Sequence, residues 1–496
     1  MKRPFRGLRD RPPAAAYDAV VIGAGIGGLF AALELARQGA SVLLAEQHYM
    51  VGGYCSTFRR GGYTFDASTH FYPLLGNPTT ITGKILAELG VETEWVAMDP
   101  VDTFHFPDGT RFEVPAELEP YRRAVGELFP HEREGLDRFF EATREAYLHG
   151  VLFHFRGKET ARHAAWAEWT LRRALDTFIT DSRLKLLLTA DCAHWGSPPS
   201  RTSFVFDAML RLSYFLGNYY PKGGSQAFAD ELARRFEELG GDILINAAAR
   251  EIRVENGRAR GVSLEVDRGR LKGGYLVAAK AVISNGDLRR TCSSLLPPGT
   301  VPPELERHLS ELRPSFPCFL THLGLRDVSS EDLDRVQGYY WQDWNPDLVG
   351  TRGLRCKIFA PTLYEPRMAP PGGQVVILQK VLELDQQAVT DWDAHKAVVE
   401  QSLLGHFESV LPGVTEKVVV SSSASARTAW RFTWNDAGAM LGWEMSPDQL
   451  GERRPANRGP VDGLWHVGHW TRPGGGITPV IVSAIDVARE AARAIE

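Results

Sequence analysis

Cysteine is scarce, long apolar runs are missing and positive charge is not in surplus; each shortage removes a class of protein. Five cysteines (Cys55, Cys192, Cys292, Cys318 and Cys356) are scattered through 496 residues, with no C-x-x-C pair among them. That pattern argues against a disulfide framework and against a zinc site, so no metal is expected, and it suits a reducing cytoplasm. No stretch of about 18 apolar residues occurs, so no membrane span is predicted. Lysine and arginine total 56 against 61 acidic residues, a formal net charge of −5. This balance offers no electrostatic basis for binding nucleic acid. Hydrolytic signatures are missing as well: there is no nucleophile elbow, no H-E-x-x-H and no outstanding pair of carboxylates on one helix face.

What is present is an ordinary globular composition, 44% hydrophobic and 24% charged. The length suits two to four units of roughly 100–200 residues. The opening MKRPFRGLRDRPPAAA is basic and lacks an apolar h-region. It reads as a flexible lead-in over 1–16 and not as a secretory signal.

From Tyr17 the pattern sharpens. Tyr17–Ile22 is a short apolar strand, Leu29–Arg37 carries helical spacing, Gly39 ends that helix, and Ser41–Glu46 is a second strand. Together they form a βαβ unit. Gly23, Gly25 and Gly28 make G-x-G-x-x-G between strand and helix. Gly23 permits the tight turn, Gly25 lets backbone approach a pyrophosphate, and Gly28 allows helix and strand to pack closely. The helix N-terminus offers free N–H groups to phosphate. Glu46 closes the second strand, where a carboxylate can accept from ribose hydroxyls and disfavours a 2′-phosphate. This order of strand, turn, helix, strand and acid predicts a dinucleotide site.

Residues 76–220 are helical, charged and aromatic, with Trp166, Trp169 and Trp195. At PKGG, residues 221–224, the chain returns to a helix over Ser225–Leu239 and a β-rich meander, and 291–455 is again mixed. A strand at Leu464–Val467, a Gly-rich loop and a helix from near Ile477 follow. The predicted fold is α/β: a Rossmann-type domain assembled from 17–75, 221–290 and 456–496, with an inserted α+β substrate-binding domain from 76–220 and 291–455. Three features favour FAD over NAD. Gly52 and Gly53 let a loop pass the pyrophosphate. The strand bearing Ala249 and Ile252 can present backbone to adenine. The loop holding Gly474, Gly475 and Gly476 aims a helix N-terminus at a flavin ring, where it would stabilise negative charge.

The blocks VVIGAGIGGL, GGYCSTFRRGGYTFDASTHF, YPKGGSQAFADELA, AVISNGD and GLWHVGHW with PGGGITPV resemble the bacterial phytoene desaturase family, which includes carotenoid isomerases and retinol saturases. The likeness spans nearly the whole chain. It implies FAD held by Gly23, Gly25 and Gly28 with Glu46 at the adenosine ribose. It implies Gly52, Gly53 and Ser56 along the pyrophosphate and Ala249 near adenine. It places Gly468, Gly475, Gly476, Ile477 and Thr478 near the ribityl chain and flavin. Tyr54 and His469 depart from the wider pattern, which has Arg after the Gly pair and an acid after the late strand.

The family implies a hydrophobic isoprenoid or polyene substrate, carotenoid- or retinoid-like, and hydride transfer between an allylic C–C bond and flavin N5. Such chemistry needs orientation more than a strong acid or base. Desaturation is the leading expectation; saturation or cis–trans isomerisation with reduced FAD, flavin amine oxidation, and a non-catalytic polyene carrier are the alternatives. His70, matched by a histidine in retinol saturases, is the candidate catalytic acid or base. His194 reads as structural. Arg427, Trp430 and Asn435 resemble a segment near the substrate cavity, with packing as their plainer role. An apolar substrate, with Lys2, Arg3, Arg6, Arg9 and Arg11, raises the expectation of peripheral membrane docking by a cytoplasmic protein.

Overall fold

The computed structural model describes residues 5–68 and 71–495. The first strand, Ala16–Ile22, lies between Val42–Glu46 and Gly273–Ser284, parallel to both. Asp242–Ile245 adds in parallel beyond Val42–Glu46, and Leu464–His466 pairs in parallel with Val282–Ser284. These strands are short apolar runs such as Ala19, Val20 and Val21, fully buried, as expected where both faces of a parallel sheet are covered. The leading half of Gly273–Ser284 instead pairs antiparallel with Arg258–Val266, which pairs with Ala247–Glu255. Helices Ile26–Arg37, Ser225–Glu238 and Ile477–Ile495 share one core against the sheet through Leu29, Phe30, Phe228, Leu232 and Ile481. The helix after the Gly-rich turn starts at Ile26, one turn before the apolar periodicity becomes visible, because Gly27 and Gly28 occupy its first turn.

A second seven-stranded sheet runs in the order 418–424, 318–326, 373–381, 354–359, 338–341, 102–105, 111–114. Neighbours are antiparallel except Gly338–Trp341 with Asp102–His105. Helices Leu118–Leu128, Arg133–Arg156, Leu171–Phe178 and Phe204–Tyr214 contribute to the core beside it. The longest of these stops where Gly157 turns left-handed at φ +62° and donates back to Phe153.

From residue 5 onward, the lead-in is held against the sheet where composition predicts a flexible tail. Phe5 and Leu8 are buried, Leu8 N donates to Ile243 O at 2.7 Å, and Arg11 pairs with Asp242 at 2.5 Å. Two apolar anchors and the open edge of strand Asp242–Ile245 are enough to dock an otherwise polar segment.

Candidate functional site

The Gly-rich turn is held by its own backbone. Gly23, at φ +90°, donates to Ala45 O at 2.7 Å, and Gly25 is the helix N-cap with no side-chain cap bond. The first-turn N–H groups therefore have no side-chain cap and can meet an anion. A Cβ on Gly25 would lie 2.9 Å from Asn285 Nδ2, and one on Gly28 would overlap the Gly23 carbonyl oxygen. Gly28 is thus a packing glycine between helix and turn. Gly52, at φ +113°, donates to Ala24 O at 2.7 Å and bridges to Gly25, while a Cβ on Gly53 would meet Gly25 Cα at 3.2 Å. The two glycine loops lie against each other because neither carries side chains there.

Glu46 is buried at the end of its strand, facing the cavity described below. Its Oε2 accepts from Ala24 N at 2.6 Å and its Oε1 from His48 N at 2.8 Å. Burial raises its pKa above the usual carboxylate value, opposed by these amides. Each oxygen retains a lone pair for a further donor.

One continuous cavity, about 680 Å³ of water-accessible space, joins these pieces. Gly23, Gly25, Glu46, Gly52, Gly53 and Ser56 line it on one side. Ala249, Gly468, Gly476 and Ile477 line it as well. Three expected residues stand off its wall: Gly28, Gly475 and Thr478. Gly475 packs under Leu441, whose carbonyl oxygen a Cβ would overlap. Thr478 sits in the first turn of the C-terminal helix, with its buried Oγ1 lacking a hydrogen-bond partner among the described residues. His70 lies outside the described residues.

The cavity continues into an apolar region walled by Phe71, Phe206, Leu210, Leu320, Met440 and Leu441. His194, expected to be structural, is part of this wall; Tyr339 OH hydrogen-bonds its Nε2 and Lys357 Nζ lies 3.4 Å away. His322 also lines it, with Nδ1 3.1 Å from Ser422 O and Nε2 3.0 Å from Asp66 O. Burial pushes that imidazole down to about 4. The segment around Ala426–Thr433 divides by face. Thr428, Ala429, Phe432 and Asn435 line the cavity, whereas Arg427 and Trp430 are exposed. Asn435 Oδ1 accepts from Trp470 Nε1 at 3.2 Å. Tyr54 donates to Ala439 O at 2.9 Å, and burial pushes His469 down to about 3.

Two contributors were not singled out from the sequence. Asn285 Nδ2 lies 3.4 Å from Gly23 O, and the side chain faces the Cα positions of Gly25, Gly27 and Gly468. It joins three separated segments, and its signal was the polar residue ending the AVISNGD strand. Arg454 is buried and donates to His469 O at 2.6 Å, Thr471 O at 3.1 Å and Trp443 O at 3.3 Å. Burial lowers its pKa to about 9. It secures the loop after the late strand, and only its arginine identity could have marked it. Among the described residues, no group of three His, Cys, Asp or Glu side chains is arranged to hold a metal ion.

Two glycine loops, an uncapped helix N-terminus and a buried acid, all on the wall of one cavity, fit a dinucleotide. Fold and cradle define a dinucleotide-binding protein built around two seven-stranded sheets. The family described as flavin containing amine oxidoreductase matches residues 26–492, and the chain belongs to it. FAD is its cofactor, and the chain is an FAD-dependent oxidoreductase. It is similar to a chloroplastic prolycopene isomerase of Daucus carota, 28% identical over 96% of this chain and 80% of that protein. It is also similar to a neurosporene-forming phytoene desaturase of Cereibacter sphaeroides, 26% identical over 96% of this chain and 95% of that one. Among solved structures, an oxidoreductase from Methanosarcina mazei matches with a TM-score of 0.67 at 19% identity, covering 95% and 99% of the two chains. Wild-type putrescine oxidase matches with a TM-score of 0.67 at 15% identity, covering 97% and 99%.

Proposed function

We propose that this oxidoreductase acts on a long apolar isoprenoid polyene, carotenoid- or retinoid-like, and most simply as a desaturase. The observation that carries the reading is that the cofactor cradle and the apolar wall of Phe71, Phe206, Leu210 and Leu320 belong to one cavity. Gly23 and Gly25, with Gly52, Gly53 and Ser56, would hold the pyrophosphate, and Glu46 the adenosine ribose. Ala249 would lie near adenine, and Gly468, Gly476 and Ile477 would serve the ribityl chain and flavin, with Gly475 and Thr478, off the cavity wall, supporting that loop and helix start. Bound FAD supplies a two-electron acceptor for hydride. The apolar wall binds and orients the chain and excludes water, which is what hydride transfer from an allylic C–H bond most needs. His70 takes or gives the accompanying proton. The similarity to prolycopene isomerase favours a second reading, isomerisation with reduced cofactor.

Anaerobic titration of the FAD-loaded protein with phytoene tests this. Loss of the oxidised-flavin band together with new polyene absorption establishes desaturation, and His70→Ala slows it without loss of flavin. Isomerised or saturated product appearing only after reduction of the flavin supports the second reading. Peroxide release from amines, with no response to polyenes, overturns both.

A peripheral membrane site belongs to the same proposal. Trp430 and Phe432 are 49% and 48% exposed, and Tyr49 is 41% exposed. Phe432 and Tyr49 also line the cavity, so the cavity reaches the surface beside an apolar patch flanked by Arg427 and Arg431. Aromatic residues with neighbouring arginines suit a lipid headgroup boundary. Among the described residues no helix is long and apolar enough to cross a membrane.

A further inference from the structure

One buried charge has no counter-charge. Arg454 is 1% exposed, and no carboxylate among the described residues pairs with it. Its guanidinium is ringed by main-chain carbonyls instead. Nη2 donates to His469 O at 2.6 Å and to Trp443 O at 3.3 Å, Nε donates to Thr471 O at 3.1 Å, and Nη1 lies 3.4 Å from Gln449 O. Glu444, whose carbonyl oxygen is also within reach at 3.5 Å, turns its carboxylate to Arg201 at 2.8 Å and Arg313 at 3.1 Å. Carbonyl dipoles satisfy the N–H groups without cancelling the charge. With its pKa at about 9, the guanidinium keeps its proton at neutral pH. An ion buried without a partner is costly, so this one calls for an anion in the flavin-loaded protein.

The charge stands behind the cavity end assigned to the flavin. The carbonyl it grips most closely belongs to His469, whose side chain lines the cavity beside Gly468 and Gly476. A Cβ on Gly474 of the same loop would lie 3.5 Å from Arg454 Cζ. No other group here offsets the charge. His469 stands where the wider flavoprotein pattern has an acid, and residues 468–476 include no carboxylate. His469 and His154 are neutral, each pushed down to about 3 by burial first, with the charge of Arg454 adding to both. Arg472 is a further cation, and its Nε donates to Arg454 O at 3.0 Å. Hydride transfer brings two electrons and one proton to flavin N5 and leaves one negative charge on the ring, spread over N1 and the C2 carbonyl. A fixed cation near that edge lowers the energy of the charged ring and removes the need for a second proton.

We propose that Arg454 is the fixed counter-charge of the reduced flavin, a residue that acts through the 468–476 loop to raise the flavin's reduction potential and keep the reduced ring singly anionic. The inference rests on the placement of the flavin at this loop and holds whatever the substrate.

The test is equilibration of the FAD-loaded protein with a two-electron redox dye. Arg454→Gln, which can still donate to His469 O, should shift the equilibrium about tenfold toward oxidised flavin, or about 30 mV for two electrons. Arg454→Lys, which restores the charge with a different hydrogen-bond pattern, should return it close to wild type. Equal shifts in both variants assign Arg454 to loop structure, and no shift in Arg454→Gln removes its charge from consideration; either result overturns the inference. If neither variant holds flavin, the unaltered protein decides. The pH dependence of its potential should show one proton taken up with two electrons even in mild acid, and uptake of two protons overturns the inference. His469→Ala separates the premise from the inference. An unchanged flavin spectrum there shows that the ring lies elsewhere and overturns both. A changed spectrum beside an unshifted Arg454→Gln dismisses the charge alone.

Discussion

Asn285 is a small residue with a wide reach. Its carboxamide stands where the Gly-rich turn and the strand end at Gly468 converge. Nothing local in the sequence announces this, because its partners are contributed by two distant segments. The glycines are the opposite case: their spacing named them, since a phosphate loop needs bare backbone at fixed intervals. Even so, the spacing did not separate glycines that face the cavity from Gly28 and Gly475, which answer to neighbouring carbonyls. Gly25→Val should strip most FAD from the purified protein, because its side chain would stand in the pyrophosphate's path and a Cβ there would lie 2.9 Å from Asn285 Nδ2. Flavin content by the absorbance ratio checks this, and a fully yellow variant refutes the assignment.

Glu365 gives a second expectation at this scale. It accepts from Gly223 N at 2.7 Å and Arg367 Nε at 2.8 Å. The Arg367 side chain foremost, with the backbone amides of Gly223 and Arg367 and against the cost of burial, holds its carboxyl down at about 2. A carboxylate with a lowered folded pKa contributes stability above its unfolded value near 4.3, and that contribution is lost as pH falls toward the folded value. Glu365→Gln should therefore cost roughly 1–3 kcal/mol at neutral pH. Urea denaturation should show the gap from wild type constant above about pH 5 and narrowing below it. A gap independent of pH would assign the loss to packing.

Helices and strands were legible in proportion to how local their logic is. The βαβ opening, the helix over 225–238 and the C-terminal helix follow from periodicity and flanking glycine. The second sheet does not, because Asp102–His105 pairs with Gly338–Trp341 across more than two hundred intervening positions. No periodicity within either strand encodes that partnership. The C-terminal helix carries Ile481, fully buried against the helix of the Gly-rich turn and its neighbours. Ile481→Ala should destabilise the protein by about 2–5 kcal/mol through lost burial and the cavity left behind. Thermal unfolding of the flavin-loaded form measures this, and a smaller change means the helix can settle inward to fill the gap.

For the molecule as a whole, the sequence made the α/β class and the flavin readable, because a dinucleotide constrains backbone. The apolar cavity was less so, since aromatic residues that line it look the same as those that fill a core. From residue 5 onward the lead-in is docked by two apolar residues, Phe5 and Leu8, which composition dominated by arginine does not reveal. Under the proposed membrane docking, and with Arg11 engaged by Asp242, contact would fall to the exposed Trp430 and Phe432. Replacing both with serine should release the protein from anionic vesicles in a sedimentation assay, leaving flavin content unchanged. Equal sedimentation of both forms would remove that patch from consideration.

One consequence of the sheet order concerns the timing of synthesis. Strand Leu464–His466 and helix Ile477–Ile495 pack beside elements made earlier in the chain, Gly273–Ser284 and Ile26–Arg37 respectively. A chain emerging from the ribosome therefore carries its phosphate loop for almost the whole of translation with one wall of the cradle absent. Complete enclosure of the coenzyme must follow synthesis of that late wall, and until then the early βαβ unit keeps exposed the apolar face that the last helix covers, the kind of surface that makes partly made chains prone to aggregate.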